Sequence, residues 1–347
     1  MSFKSLLSAG AIVMTMPFLA QHALAASCPQ TPMTPFVDAL DVDSKYSTSD
    51  ATRSTLGTVD SLSVATRDYL GEYAASIVFF ADYHDQRAGT SAGRVGLDCM
   101  NVWLDKWASA NAMLTEDSTP TGQAVRVWTI ASIASAILKT QGREPGALKM
   151  SEQTIQWLQR LAERVVADYE HRFTSKGSRM NNHDYWGAWA VASVSAATGS
   201  GTSVPYAYRV FDHAMQNAAW DSRTGTYYLP NETGRGNLGL HYTQFALAPL
   251  AMLSEYLPKL GYTVHHQQSQ IMDSLATSAL EAFLNKSAYR HLFTTTQKQP
   301  SADSFTWARV YHSNNPANKA AANIMGRYSK YLTSHSKIGG ELSRLYP

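Results

Sequence analysis

A chain of 347 residues with 44% hydrophobic content is long enough for one large domain or two modest ones, each with a full core. The formal net charge of +2, from 29 basic against 27 acidic residues, is too small for binding through bulk charge, so no nucleic-acid partner is expected. It leaves room for a local cluster that takes an anionic ligand.

Residues 1–25 read as a cleavable signal peptide. Lys4 supplies the positive start, an apolar run follows to Ala20, and Ala23-Leu24-Ala25 is a small-x-small cleavage site. The apolar run is short and interrupted by Pro17, so no membrane span is expected. Cys28 follows Ala25-Ala26-Ser27, which is not a lipobox. These features place the protein in the periplasm or outside the cell. In such an oxidising compartment the two cysteines, Cys28 and Cys99, are expected to pair and to tie the N-terminal arm to the second long helix.

Residues 26–60 form an arm. Pro29, Pro32 and Pro35 favour an extended chain, and Ser44-Lys45-Tyr46-Ser47-Thr48-Ser49-Asp50 is a polar, mobile-looking loop with one cation and one phenol. Such a loop is either a lid over a site or a plain surface loop. Residues 61–347 then read as a single helical domain. Apolar residues recur at helical spacing over 64–83, 96–114, 123–138, 151–173, 185–198, 206–219, 241–257, 264–283, 305–312 and 317–332. Residues 225–230 are the best strand candidate. Many helices of similar length without a sequence repeat suggest an all-α toroid of antiparallel hairpins. The small-residue runs Ile130 to Ile137 and Ala188 to Ala197 fit its inner helices.

Two stretches carry polar chemistry. The first is Asn181-Asn182-His183-Asp184-Tyr185-Trp186-Gly187-Ala188-Trp189, where amides, an imidazole, a carboxylate and three aromatics open a helix. Polar groups interleaved with aromatics suit a sugar site; the alternative is a loop with an N-cap. The second runs from Leu229 to Tyr242, with Arg235 between glycines and seven residues before Tyr242. Arg presents a planar fork of donors that matches a carboxylate, and Asn and His add further donors. Asn182, His183 and Arg235 together can neutralise a substrate carboxylate. In a uronate polymer this acidifies the C5 proton, because the enolate-like dianion formed on its loss is stabilised. A Tyr242 phenol beside that cation is expected to have a lowered pKa, to take the C5 proton and to return a proton to the leaving 4-O oxygen. This β-elimination needs no metal and no cofactor.

A hydrolase is the competing reading, with Asp184 and Glu232 as its two carboxylates. Asp184 can instead orient His183 or cap its helix. The histidines show no zinc-ligand spacing, and a serine nucleophile has no Gly-x-Ser-x-Gly elbow.

Asn181-Asn182-His183-x-Tyr185-Trp186, then Leu229-Pro230-Asn231-Glu232, the Arg235 and Tyr242 pair, and Ala246-Leu247-Ala248-Pro249-Leu250 together resemble the periplasmic alginate lyases of polysaccharide lyase family 5. The likeness spans most of the mature chain. Ser44-Lys45-Tyr46-x-x-Ser49-Asp50 is similar to that family's lid loop, and Leu104-Asp105-Lys106-Trp107-Ala108 and Val125-Arg126-Val127-Trp128 match in character. Cys28 and Cys99 sit where the family places a disulfide.

The resemblance implies an incomplete (α/α)6 toroid with a deep cleft. It implies a monomer acting on an anionic uronate polysaccharide rich in mannuronate. Asn182, His183 and Arg235 would neutralise the carboxylate, and Tyr242 would be the catalytic acid and base, with His183 taking the proton from the C5 epimer. Lys45, Tyr46, Arg126, Trp128, Trp186 and Trp189 would be sugar-binding candidates, with core packing the alternative for the tryptophans. Two departures stand out. Family members commonly carry a second polar pair after the tyrosine, where this chain has Thr243-Gln244-Phe245, and several basic residues around the arginine, where it has Gly234, Gly236 and Asn237. Other polyuronates, such as polyglucuronate, are therefore alternative substrates.

Overall fold

A computed structural model describes residues 28–175, 179–293 and 295–347; the expected signal peptide lies outside them. Among the described residues every expected helix is present: α1 (Ser61–Asp85), α2 (Ser91–Ser109), α3 (Pro120–Arg143), α4 (Glu152–Tyr169), α5 (Asn182–Thr198), α6 (Val204–Gln216), and then two strands, β1 (Ala219–Asp221) and β2 (Thr226–Tyr228). The chain continues through α7 (Pro230–Thr233), α8 (Gly239–Lys259), α9 (His266–Leu284), α10 (Lys286–Tyr289), α11 (Trp307–Asn314) and α12 (Lys319–Tyr328). A short ribbon, β3 (Ser334–His335) and β4 (Gly340–Glu341), closes it.

Helices α1, α3, α5, α8 and α11 neighbour one another in that order as an inner layer. Helices α2, α4, α6, α9 and α12 pack outside them, which makes the incomplete (α/α)6 toroid expected from the sequence. The two small-residue runs are inner helices. Ile130 to Ile137 is buried on every side, and so is Ala188 to Ala197 except Ala196. A helix that is apolar or small all round has no solvent face to present. Caps mark the starts: Asp60, Thr90, Thr119 and Ser151 each accept a backbone N–H of the first turn.

Ends differ from the periodic pattern where backbone chemistry intervenes. The second helix stops at Ser109 instead of continuing to 114, because Asn111 and Met113 adopt left-handed φ values of 54° and 60°. The apolar residues beyond that point still face the core, which is why periodicity alone overran the helix. The strand candidate is β2, paired antiparallel with β1 so that Trp220 faces Tyr227. The C-terminal ribbon was not anticipated; two-residue strands are too short to show alternation.

The arm is pinned along its length. Cys28 and Cys99 form the expected disulfide. Lys106 Nζ and Trp107 Nε1 donate to the carbonyls of Pro32 and Met33 at 3.0 and 3.1 Å. Leu40 N donates to Asp117 O at 2.8 Å. A Cβ at Gly122 would lie 1.8 Å from Leu40 O, so only glycine lets the arm cross the start of α3 there.

Arg126 belongs to this framework. It is fully buried on α3, 2.8 Å from Asp168 Oδ2 of α4, and it donates to Thr115 O at 2.7 Å. The sugar-binding expectation for it is corrected, because the guanidinium is fully buried against these partners and has no face open to a ligand. Burial raises the Asp168 pKa and lowers that of Arg126, so desolvation outweighs the pairing at both ends. Replacing Asp168 by Ala strands a buried cation and should cost about 3–5 kcal/mol in a denaturant melt. A loss below about 1 kcal/mol would show that Arg126 finds water instead.

Candidate active site

Inner helices α5 and α8 pack together, and their first turns carry the residues singled out in the sequence. Asn182 and His183 open α5, Tyr242 lies in the first turn of α8, and Arg235 is in the turn before it. Trp128, in the third turn of α3, packs edge-on to His183 with ring centroids 5.7 Å apart. Helix N-termini carry partial positive charge, so their convergence favours an anionic ligand.

Asn181 caps α5. Its side chain accepts the His183 N–H at 3.0 Å, and Asp184 returns the favour by accepting the Asn181 N–H at 2.9 Å. Asp184 is fully buried and held by Arg172, Nε to Oδ1 at 2.6 Å and Nη2 to Oδ2 at 3.0 Å. It therefore caps the helix and pairs with Arg172, and it makes no hydrogen bond to the His183 ring. Glu232, on α7, is also fully buried. Its Oε1 accepts the Asn182 backbone N–H at 2.6 Å and its Oε2 accepts Asn182 Nδ2 at 3.0 Å. Neither carboxylate is open to a glycosidic oxygen, so the two-carboxylate hydrolase reading loses its residues.

Tyr242 is only 7% exposed. Its hydroxyl lies 2.7 Å from that of Tyr46, and the Arg235 guanidinium sits 3.8 Å from its ring centroid. Arg235 donates from Nε to Thr52 O at 2.8 Å and from Nη2 to Arg53 O at 2.9 Å. The polar loop is therefore docked against this turn, internally tied instead of loose. Tyr46 pairs with Leu56 in an antiparallel bridge. Asp50 accepts the N–H groups of Thr52, Ser54 and Thr55 at 2.8–2.9 Å. A Cβ at Gly236 would lie 2.6 Å from Ser54 Oγ, and φ there is +52°, so glycine lets the lid settle against this turn. Lys45 is exposed, with its ammonium 5.2 Å from the Tyr46 ring.

Electrostatics differ from expectation at Tyr242. Burial and the Tyr46 hydroxyl push its pKa well above the usual phenol value, and Arg235 pulls it down by less. The lowered phenol pKa expected from the cation alone is corrected for the docked form, because desolvation wins. Burial, with Arg172 and Arg235, lowers the His183 pKa to about 4, so its imidazole is neutral near pH 7. The site thus holds a neutral imidazole and a protonated phenol.

The remaining aromatics divide. Trp186 and Trp189 are fully buried. Trp189 Nε1 donates to Ser135 Oγ at 3.0 Å, which makes it core. Trp186 is corrected from sugar contact to support: it packs between Phe245, at 5.1 Å, and His335, at 5.9 Å. Trp128 is half-buried and faces His183. Several contributors escaped sequence reasoning. Arg172 sets the charge around Asp184 and His183, Asp50 organises the lid, and the C-terminal turn brings Lys337 into the field of Lys45 and Asp303. Nothing in local spacing marks these residues, because each meets the site only through tertiary packing. Among the described residues no group of three or more potential ligands could hold a metal.

A family model described as alginate lyase matches residues 41–289. An alginate lyase of Pseudomonas syringae pv. tomato is 27% identical over 325 residues, covering 90% of this chain and 81% of that protein. One from Pseudomonas fluorescens is 26% identical over 329 residues, covering 90% and 82%. The crystal structure of alginate lyase A1-III from Sphingomonas species A1 superposes with a TM-score of 0.69 at 18% identity, covering 93% of this chain and 89% of that one. A variant of A1-III complexed with a tetrasaccharide matches with a TM-score of 0.70 at 18% identity, covering 92% and 86%.

Proposed function

Because the chain belongs to the alginate lyase family, we propose that it cleaves mannuronate-rich alginate by β-elimination, leaving a 4,5-unsaturated uronate at the new non-reducing end. The observation that carries the mechanism is the meeting of Arg235 and Tyr242 beside the helix that bears Asn182 and His183, with both nearby carboxylates buried and engaged. Asn182, His183 and Arg235 take the substrate carboxylate, and the electron pair released from C5 is stabilised there. The C5–H bond breaks, the C4=C5 double bond forms, and the 4-O oxygen leaves with a proton from Tyr242. With mannuronate Tyr242 serves both steps: its phenolate, the minor form beside Arg235, takes the C5 proton, and the resulting phenol gives a proton to the leaving 4-O oxygen. A sugar in the cleft replaces the Tyr46 hydroxyl that helps hold its pKa up, while Arg235 continues to pull it down. The neutral His183 favours a second reading for the C5 epimer, in which it takes the C5 proton and Tyr242 only donates.

Lys45, Tyr46 and Trp128 would contact flanking sugars. The signal-peptide features of residues 1–25 favour a reaction in the periplasm or outside the cell, and the chain would act as a monomer. Among the described residues no helix is long and apolar enough to cross a membrane.

The test is a panel of polymannuronate, polyguluronate, polyglucuronate and hyaluronate, followed by ultraviolet absorbance of the conjugated product and by reducing ends. Polymannuronate should give the fastest rise, with absorbance and reducing ends appearing together. Reducing ends without absorbance would mean hydrolysis and would sink the proposal.

A further inference from the structure

We propose that Glu232 is a positioning residue for the elimination, gripping Asn182 by two N–H groups so that its carboxamide can face the substrate in one orientation only. This rests on the function proposed above. Glu232 does not touch substrate: it is fully buried, and both oxygens are occupied, by Asn182 N at 2.6 Å and Asn182 Nδ2 at 3.0 Å. The first of these donors is a helix-start N–H with no partner inside its own helix.

The choice of a carboxylate is informative. A buried anion is costly, and a glutamine of the same size would fill the space. A carboxylate differs in being an acceptor with no donor. Facing it, Asn182 can present only N–H, so the amide is held against a flip. That leaves one Nδ2 hydrogen and Oδ1 for a ligand, and Oδ1 is buried without a hydrogen-bond partner. An edge with one donor and one acceptor fits a carboxylate next to a hydroxyl, which is the pattern of a uronate. A glutamine would present N–H on one side and permit the reversed amide, whose outward edge differs.

Surroundings support a working carboxylate near neutral pH. Burial raises the Glu232 pKa to about 7, with Asp184 adding to the rise and Asn182 and Arg235 opposing it. Tyr185, on α5, is the further titratable group that feels Glu232, and burial keeps its phenol protonated. The grip is complete when Glu232 is ionised, so activity should fall as pH drops through about 7. His183, with its pKa near 4, stays neutral through that range, and Tyr242 is held by burial above the usual phenol value, so neither accounts for a limb near 7.

The experiment is a double-mutant cycle on the full enzyme with polymannuronate, reading the unsaturated product of Glu232→Gln, Asn182→Ala and the pair. Glu232→Gln should lower kcat about 10- to 100-fold with KM changed by less than about 3-fold, and should remove the acid limb. In the Asn182→Ala background it should add less than about 2-fold, because Glu232 acts through that side chain. Multiplicative losses, or an unchanged kcat with the acid limb intact, would overturn the proposal. Should Glu232→Gln not fold, the pH profile of Asn182→Ala decides: loss of the limb supports the grip, and its persistence defeats it. A wild-type enzyme that makes no unsaturated product from any polyuronate defeats the parent function instead.

Discussion

Tyr242→Phe is expected to cut kcat on polymannuronate by about 1,000-fold or more while the protein stays folded, since a positioned acid–base group contributes roughly 100- to 10,000-fold to a rate and this one serves both steps. Phenylalanine keeps the ring beneath the Arg235 guanidinium, 3.8 Å from the centroid, so packing is preserved. What is lost is the hydroxyl that meets Tyr46 at 2.7 Å, a hydrogen bond worth about 1 kcal/mol to stability. KM should change little, because the deleted atom acts on the reacting bonds and not on the sugar's charge. The check is the initial rate of conjugated product alongside a thermal melt. Retention of more than a tenth of the wild-type kcat would remove Tyr242 from both roles.

Arg235→Ala is expected to lower kcat/KM by about 100- to 1,000-fold, the typical loss when one preorganised donor to a developing anion is deleted. The side chain is half-buried and its ties are to lid carbonyls, so the fold should survive. Arg235→Lys should not restore activity. An ammonium is a point donor, whereas the observed guanidinium reaches Thr52 O and Arg53 O from two separate nitrogens. A second readout follows from those bonds: backbone amides of residues 52–57 should exchange faster with deuterium in the variant. If Arg235→Ala fails to fold, the arginine is structural and the carboxylate-neutralising role is wrong.

The helical framework was readable because it is written in local terms. Apolar spacing marks each long helix, and the small-residue runs at Ile130 to Ile137 and Ala188 to Ala197 marked the inner layer because close-packed helices need small side chains on every side. Asn182, His183, Arg235 and Tyr242 were singled out because their residue types and order make chemical sense in uronate cleavage, and the fold brings them together at the starts of α5 and α8. Arg126 and Trp186 were misplaced for a shared reason: a cation and an indole look like sugar contacts until a partner claims them, and Asp168, Phe245 and His335 are far away in sequence. The Tyr242 shift was missed on similar grounds. One cation nearby was visible in the chain, but the burial that outweighs it is a property of the folded site. Glu232 was seen only as a spare carboxylate, since its grip on Asn182 joins residues fifty positions apart.

On the function proposed above, the docking of the loop on Arg235 would also set a thermodynamic toll on binding. Thr52 O and Arg53 O occupy two of the N–H groups of the cation proposed to take the substrate carboxylate, and Asn182 is fully buried. Loop and polymer would then compete for those two of the five N–H donors of Arg235. Apparent affinity is the intrinsic affinity multiplied by the fraction of molecules with the lid undocked, so an undocked share of about 1% would weaken binding about 100-fold. Substitutions that loosen the Asp50 turn should tighten polymer binding by raising that share, at the cost of a wetter site in which each charge–charge interaction counts for less.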